Sequence, residues 1–423
     1  MISKWRWLLL HFTRRLWVRA TLFAVLGIAT ALGSIMIERF IPWDLPGRIG
    51  ADAVNHILDI LATSMLAVTT FSLSVMVQAY GAATSNGSPR ATRLVMEDST
   101  TQNVLATFIG SFLFSLVGIV TLAAGAYGDR GRVVLYVVTL AVIAIIVATI
   151  LRWIDHLSRL GRVGETLDRV EAAAAEAMSV RSANPCLGGR SLSDPNDIPA
   201  RATSVLPTRI GYVQHIDAAT LSGVAERHAC RVFVEALPGI FVHPSRALAR
   251  VAADDGGAVP EEAEQAVRGT FTIADERSFD QDPRFGLVVL SEIASRALSP
   301  AVNDPGTAID VIGRAVRILA RWADRRVDAE EAAFDRVRVP PLAVDDLFDD
   351  VFTPIARDGA ALIEVQMRLQ KGLVALGEMA DPDLTRAARR HAGLALRRAE
   401  AAMTLAEDRE RIERVVAAHQ ACD

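Results

Sequence analysis

Apolar residues fill four long stretches of the first 154 positions, and beyond them the chain returns to ordinary mixed polarity. The stretches are 20–37, 57–80, 104–126 and 133–154, each about 18–24 residues, long enough as a helix to cross a hydrocarbon core of about 30 Å. The second is the least apolar and carries a polar stripe. Asp59, Thr63, Ala67, Thr70, Ser74 and Gln78 fall at offsets 0, 4, 8, 11, 15 and 19. On a helix these positions share an arc of about 100°. In a bilayer such a face must meet water, another helix or a permeating solute, because lipid cannot satisfy it. The third stretch has Gly110, Ser111, Ser115 and Gly118 near one face, a pattern that lets a neighbouring helix approach closely. The fourth is nearly pure Val, Ile, Leu and Ala and suits lipid contact.

Past residue 154 the pattern predicts a helix over 152–178, then an aperiodic linker over 179–207 marked by Pro185, Gly188, Gly189, Pro195 and Pro199. Short alternating runs follow: IGYVQHI, RVFVEAL, IFVHP, ALARVA and RGTFTI read as strands, with Asp217 capping a short helix after the first. From Phe279 onward helical periodicity dominates, with helices near 284–298, 307–325, 345–379 and 382–421 and a strand at 334–339. Glu292 and Arg296 read as an i,i+4 pair. The expected fold is a membrane α-helical protein with four transmembrane helices, plus a cytoplasmic α+β module and a helical bundle. Its parts are an interfacial segment 1–19 with Trp5 and Trp7 at headgroup level, a membrane domain 20–154, an extension and linker 155–208, a module 209–275 and a helical domain 276–423.

Flanking positive charge orients the spans. Ten Lys and Arg lie on one side, Arg14, Arg15, Arg90, Arg93 and Arg159 among them; the other side has four, Arg39, Arg48, Arg130 and Arg132. The expectation is a multi-pass bacterial inner-membrane protein with both termini cytoplasmic.

Composition narrows the function. The chain has 423 residues, 51% hydrophobic, a net charge of -4 and no basic run, which argues against nucleic acid as a partner. Mean hydropathy is +0.28, high for a soluble protein. Cys186, Cys230 and Cys422 are the three cysteines, with no paired spacing for disulfides or a thiolate zinc site. Lys4 and Lys371 are the only lysines against abundant Arg and Ala, a balance associated with GC-rich bacterial genomes.

Three segments carry candidate chemistry. The sharpest runs from Arg296 through Ser299, Asn303, Asp304 and Thr307. Read plainly, Asp304 caps a helix whose first position is Pro305. Read functionally, Arg296, Ser299, Asn303, Asp304 and Thr307 form a pocket for a ligand or another subunit at a helix N-terminus. Asp345, Asp346, Asp349 and Asp350 cluster at a helix start, where offsetting the helix dipole is the plainer reading than cation sensing. The segment 81–103 follows the striped helix as an inner loop, which makes Arg90 and Arg93 candidate gate residues. His215, His228 and His243 come from separate elements and form no ligand motif. No P-loop, G-x-S-x-G, H-E-x-x-H or dinucleotide-binding glycine pattern is present, so no catalytic residue, metal or cofactor is expected.

Residues 71–73 (Phe-Ser-Leu), Gln78, Ser88-Pro89-Arg90, Asp98, Gln102 and the spacing of Phe108, Phe112, Ser115 and Leu116 form one signature. A second is Arg296-Ala-Leu-Ser-Pro300 with Asn303-Asp304-Pro305 and Thr307-Ala308. Together they resemble a bacterial membrane-protein family known as domain of unknown function 2254, over nearly the whole chain. The lead into Ser88, Thr84-Ser-Asn-Gly87, departs from the family's more aromatic or Gln-containing one. The resemblance implies an integral membrane protein and supplies no reaction or ligand.

The leading expectation is a homo-oligomeric ion channel or pore, with Asp59, Thr63, Thr70, Ser74 and Gln78 lining the path and a cytoplasmic regulatory domain. Its partners are the lipid bilayer, further copies of the chain, and ions or a small cytoplasmic ligand. A membrane-anchored sensor or scaffold is the second reading, and a membrane enzyme the third.

Overall fold

The computed structural model describes residues 16–37, 51–126, 129–324 and 333–420. The predicted interfacial segment, with Trp5 and Trp7, lies outside the described residues apart from 16–19. Contacts divide the chain into two compact units. One joins the described residues of Leu8–Ser85 to Thr92–Thr166; the other joins Asn86–Ala91 to the described residues of Leu167–Asp423.

The first unit is built from α1 (Leu16–Ile37), α2 (Ala51–Asn86), α4 (Ser99–Ala123) and α5 (Asp129–Arg159), with α3 (Pro89–Met96) between α2 and α4. Three helices are long and apolar enough to cross a membrane: Asp52–Ser85, Ser99–Ala123 and Gly131–Arg159. Three of the four predicted spans thus reach spanning length among the described residues. The first predicted span is helical in α1, where the apolar run Ala20–Thr30 is described.

The small face of α4 explains the packing. Gly110, Ser111, Ser115 and Gly118 are buried. A methyl group on Gly110 would stand 2.9 Å from the Phe23 carbonyl oxygen of α1, and one on Gly27 would stand 2.5 Å from the Gly110 carbonyl oxygen. Only glycines allow two backbones this close. A methyl on Gly118 would stand 3.0 Å from Leu58 of α2. Val54, Leu58, Phe114 and Leu135 close one layer of the interior, and Leu61, Met65, Phe108, Ile146 and Trp153 close another. The α5 helix is the least covered, with 17% of its apolar window buried against 50% for α4.

The predicted inner loop 81–103 is mostly helix: α2 continues to Asn86, α3 follows, and Asp98 caps α4 by accepting the Thr101 amide at 2.8 Å. The helix predicted over 152–178 breaks at Gly161, whose φ of +83° suits glycine, and α6 (Val163–Ala183) begins beyond it.

The second unit holds two sheets and a helical bundle. Its strands are β1 (Gly189–Ser191), β2 (Thr203–Val205), β3 (Gly211–Ile216), β4 (Cys230–Val234), β5 (Phe241–Val242), β6 (Ala249–Ala253), β7 (Phe271–Ala274) and β8 (Phe334–Val339). Five strands order as β1-β8-β4-β6-β2, with β8 parallel to both β1 and β4 and the remaining pairs antiparallel. The antiparallel trio β5-β3-β7 forms the second sheet. The predicted linker thus supplies two strands, β1 and β2, and 334–339 supplies a third, all from outside the 209–275 stretch. Helix α7 (Ala218–Arg227), capped by Asp217, buries Leu221 and Val224 with Val232, Val251 and Val337. A short helix, α8 (Glu261–Gly269), precedes β7.

The bundle comprises α9 (Pro283–Ala297), α10 (Pro305–Asp324), α11 (Val344–Asp358), α12 (Ile363–Gly377), α13 (Pro382–Ala402) and α14 (Ala406–Gln420). Each of the two long predicted helices, 345–379 and 382–421, is broken into a pair. The first break falls at Gly359, where Val365 leaves no room for a side chain.

Gly110→Val should separate α1 from α4, costing about 1–3 kcal/mol by overpacking against backbone. The check is the melting temperature in detergent, with Gly33→Ala, which meets nothing within 4 Å, as a control expected to change little.

Candidate functional site

The polar stripe of α2 lies on the outside of its unit. Asp59, Thr63, Thr70, Ser74 and Gln78 are all exposed, while the opposite face buries Val54, Leu58, Met65, Met76 and Ala79. Exposed Leu66, Phe71, Leu73 and Val77 flank the stripe. The stripe is not uniform in what it demands. The Thr70 hydroxyl already donates to its own helix, to Ala67 O at 2.9 Å. Asp59 and Gln78 have side chains too polar for lipid, and they set the requirement for water or a partner surface.

A polar network sits inside the same unit. The Trp153 indole N–H donates to the buried Ser72 hydroxyl at 3.0 Å. Trp153 also stacks on His156, whose Nε2 lies 3.0 Å from Asp98 Oδ2. The same carboxylate holds Thr101 by both amide and hydroxyl, so it joins the start of α4 to the end of α5.

The two candidate gate arginines are both engaged. Arg93 pairs with Glu97 at 3.0 Å, one helical turn on. Arg90 pairs with Glu292 of α9. Ser88, buried, caps α3 by accepting the Arg90 amide at 3.2 Å and donates to Glu292 Oε2 at 2.6 Å. Glu292 therefore serves Ser88 and Arg90, correcting the expected pairing with Arg296. Sequence reasoning missed this contact because 204 positions separate its members.

The Arg296–Thr307 segment forms a tight capped turn. Asp304 accepts the Thr307 amide at 3.1 Å and its hydroxyl at 2.6 Å, and these bonds hold the carboxyl below its ordinary pKa. The Ser299 hydroxyl donates to Arg296 O at 2.6 Å. Asn303 takes a φ of +50°, a left-handed conformation that Asn tolerates better than most residues. Arg296 and Asn303 are exposed. The structure thus joins Asp304 to Thr307 and turns Ser299 back on its own helix.

The acidic cluster at the start of α11 is spent on arginines. Arg284 holds Asp346 and Asp350, Arg386 and Arg390 reach Asp345, and Arg390 bonds Asp349 at 2.9 Å. His391 lies against Asp349 at 3.1 Å, buried beside the rings of Phe348 and Phe352. Burial, aided by Arg390, pushes its imidazole down to about 4. His215 is buried and His228 and His243 lie on other elements; among the described residues no three His, Cys, Asp or Glu are placed to hold a metal ion. A surface cavity of about 610 Å³ opens at the start of α13, lined by Asp381, Thr385, Arg386 and Arg389. It includes none of the predicted site residues.

A mostly helical chain with three apolar helices of spanning length and a sheet-containing region is a membrane protein by class. The chain belongs to the family described as "Predicted membrane protein (DUF2254)", whose model matches residues 13–375. Among curated proteins it is 26% identical over 295 residues to uncharacterised proteins of Mycobacterium bovis and Mycobacterium tuberculosis, an alignment covering 68% of this chain. The chain spans about half the length, 55%, of these relatives. No solved structure matches the chain significantly.

Two measurements follow from these contacts. Glu292→Ala removes the carboxylate that accepts from the buried Ser88 hydroxyl and from Arg90; the expected loss is about 1–3 kcal/mol, read as a lower melting temperature. For His391, the folded value of about 4 lies below the ordinary 6.5, so the unfolded state binds more protons between them. Stability should be full above pH 6.5 and decline as pH falls toward 4. In His391→Gln the decline over that window should shrink, as thermal melts across pH would show.

Proposed function

We propose that several copies of this chain assemble in the membrane with their α2 stripes turned to a common axis, forming a pore. The observation that carries this reading is the exposure of Asp59, Thr63, Thr70, Ser74 and Gln78 along one face of a single copy. Lipid is a poor solvent for Asp59 and Gln78, and the apolar interior of the unit is already closed by the other face of α2. Around a shared axis the stripe meets water, and the flanking Leu66, Leu73 and Val77 supply contact between copies. Asp59 at one end of the stripe attracts cations. The excess of positive charge beside the ends of the four apolar stretches supports a reading in which the sheet-containing unit and both termini face the cytoplasm of a bacterial cell, where that unit would regulate the path.

A second reading is favoured by the Thr70 hydroxyl, which its own helix satisfies. Copies then pack through the stripe without a path, and the protein is a membrane-anchored sensor or scaffold.

Ion flux into proteoliposomes separates the two. Wild type should conduct, Thr70→Leu/Ser74→Leu should lose flux with assembly intact by cross-linking, and Asp59→Asn should lower cation conductance severalfold. Absence of flux for common cations and anions would overturn the pore and leave the scaffold.

A further inference from the structure

We infer that Arg181, in the last turn of α6, forms the base of a binding site for a small oxyanion, a phosphate or carboxylate group. The residue is 3% exposed, and its Nε and Nη1 have no hydrogen-bond partner among the described residues. A guanidinium cannot shed its charge as a buried lysine can; burial brings it down only to about 10, so it is cationic at neutral pH.

The same unit shows how this fold treats an arginine whose role is to hold the structure. Arg314, 8% exposed, is met by Asp168 at 2.6 Å, Glu171 at 2.8 Å and Asp310 at 3.0 Å. Among the described residues no carboxylate bonds Arg181 in this way. The groups that favour its charge are Cys186 and Asp282. Cys186 is a buried thiol that burial keeps protonated. Asp282 is spent elsewhere: one oxygen accepts from Arg277 at 2.7 Å and the other from the Phe285 amide at 3.2 Å, at the start of α9. Arg284, the next arginine along, is taken up by Asp346 and Asp350. The one carboxylate that acts on Arg181 is thus already bonded by Arg277 and the Phe285 amide, and the guanidinium is left without an acceptor among the described residues.

An oxyanion would supply the acceptor and the negative charge that Arg181 lacks among the described residues. On each edge of the planar guanidinium Nη2 stands beside one of the two unpartnered nitrogens, and such a pair of N–H donors matches two acceptor oxygens of a phosphate or carboxylate, whereas a monatomic anion cannot bridge them. The site is independent of the α2 stripe.

The test is the melting temperature of the purified full-length protein in detergent, titrated at constant ionic strength with phosphate, acetate or chloride. A saturable rise with phosphate or acetate but not chloride is expected in wild type, and whichever of the two acts names the ligand class. Arg181→Met should abolish the rise, and should melt higher than wild type in chloride because it removes a buried unpaired charge. Arg181→Lys keeps the charge, gives up the fork, and should weaken the response about tenfold. Equal melting in all three salts, or an undiminished rise in Arg181→Met, would overturn the site. Should Arg181→Met fail to fold, Arg181→Lys decides: an unchanged titration midpoint would overturn it equally.

Discussion

The close passage of α1 over α4 at Gly27 and Gly110 is the contact on which the apolar unit depends. Within lipid no hydrophobic drive brings helices together, so dispersion and shape must do so, and both weaken steeply with distance. Two glycines remove the side chains that would hold the backbones apart. With α4 so seated, its other small positions accept Leu58 of α2 and complete the layer with Phe114 and Leu135. That arrangement decides which face of α2 turns inward. The apolar face enters the interior, and the polar stripe is left outside as a consequence.

The second unit is held by a different device. Guanidinium groups fasten its helices in pairs: Arg314 and Arg317 tie α10 to α6, Arg284 ties α9 to α11, and Arg390 ties α13 to α11. Exposed pairs of this kind contribute little. The half-buried ones are geometric, because a planar fork meeting two carboxylates fixes the distance and rotation of both helices. A chain with only two lysines has made arginine its usual cation, and the bundle uses what a point charge lacks.

Much of this was legible in the sequence, where one local rule governed. The strands around Gly211–Ile216 and Cys230–Val234, the Asp217 cap and the small face of α4 follow from period and turn chemistry, and the structure has them. Family membership was legible from the Ser88-Pro89-Arg90 and Ser299–Thr307 segments. What escaped was set by distant partners. The three-residue strands β1 and β2 are too short to show alternation and exist because β8 and β6 pair with them. Glu292 looked complete with Arg296 four residues away, yet Ser88 and Arg90 claim it. Gly161 and Gly359 break helices whose apolar periodicity runs on across the break, so the pattern concealed the joints. The α2 stripe was legible as a pattern, while its exposure was not, because exposure depends on what the other face meets.

The position of β8 has a consequence for how the chain is made. Strand β4 has β6 on one side and β8 on the other, and β8 follows only after α9 and α10. On the ribosome, β4, β6 and β2 can pair as soon as they emerge, but one edge of β4 stays open until about a hundred further residues have been translated. That edge presents the backbone of Val232 and Phe233, which β8 later pairs, as a template on which strands of other nascent chains can dock. The five-stranded sheet is thus completed late, in a chain whose apolar helices have already left the ribosome, and the interval between them is when this protein is most exposed to misassembly.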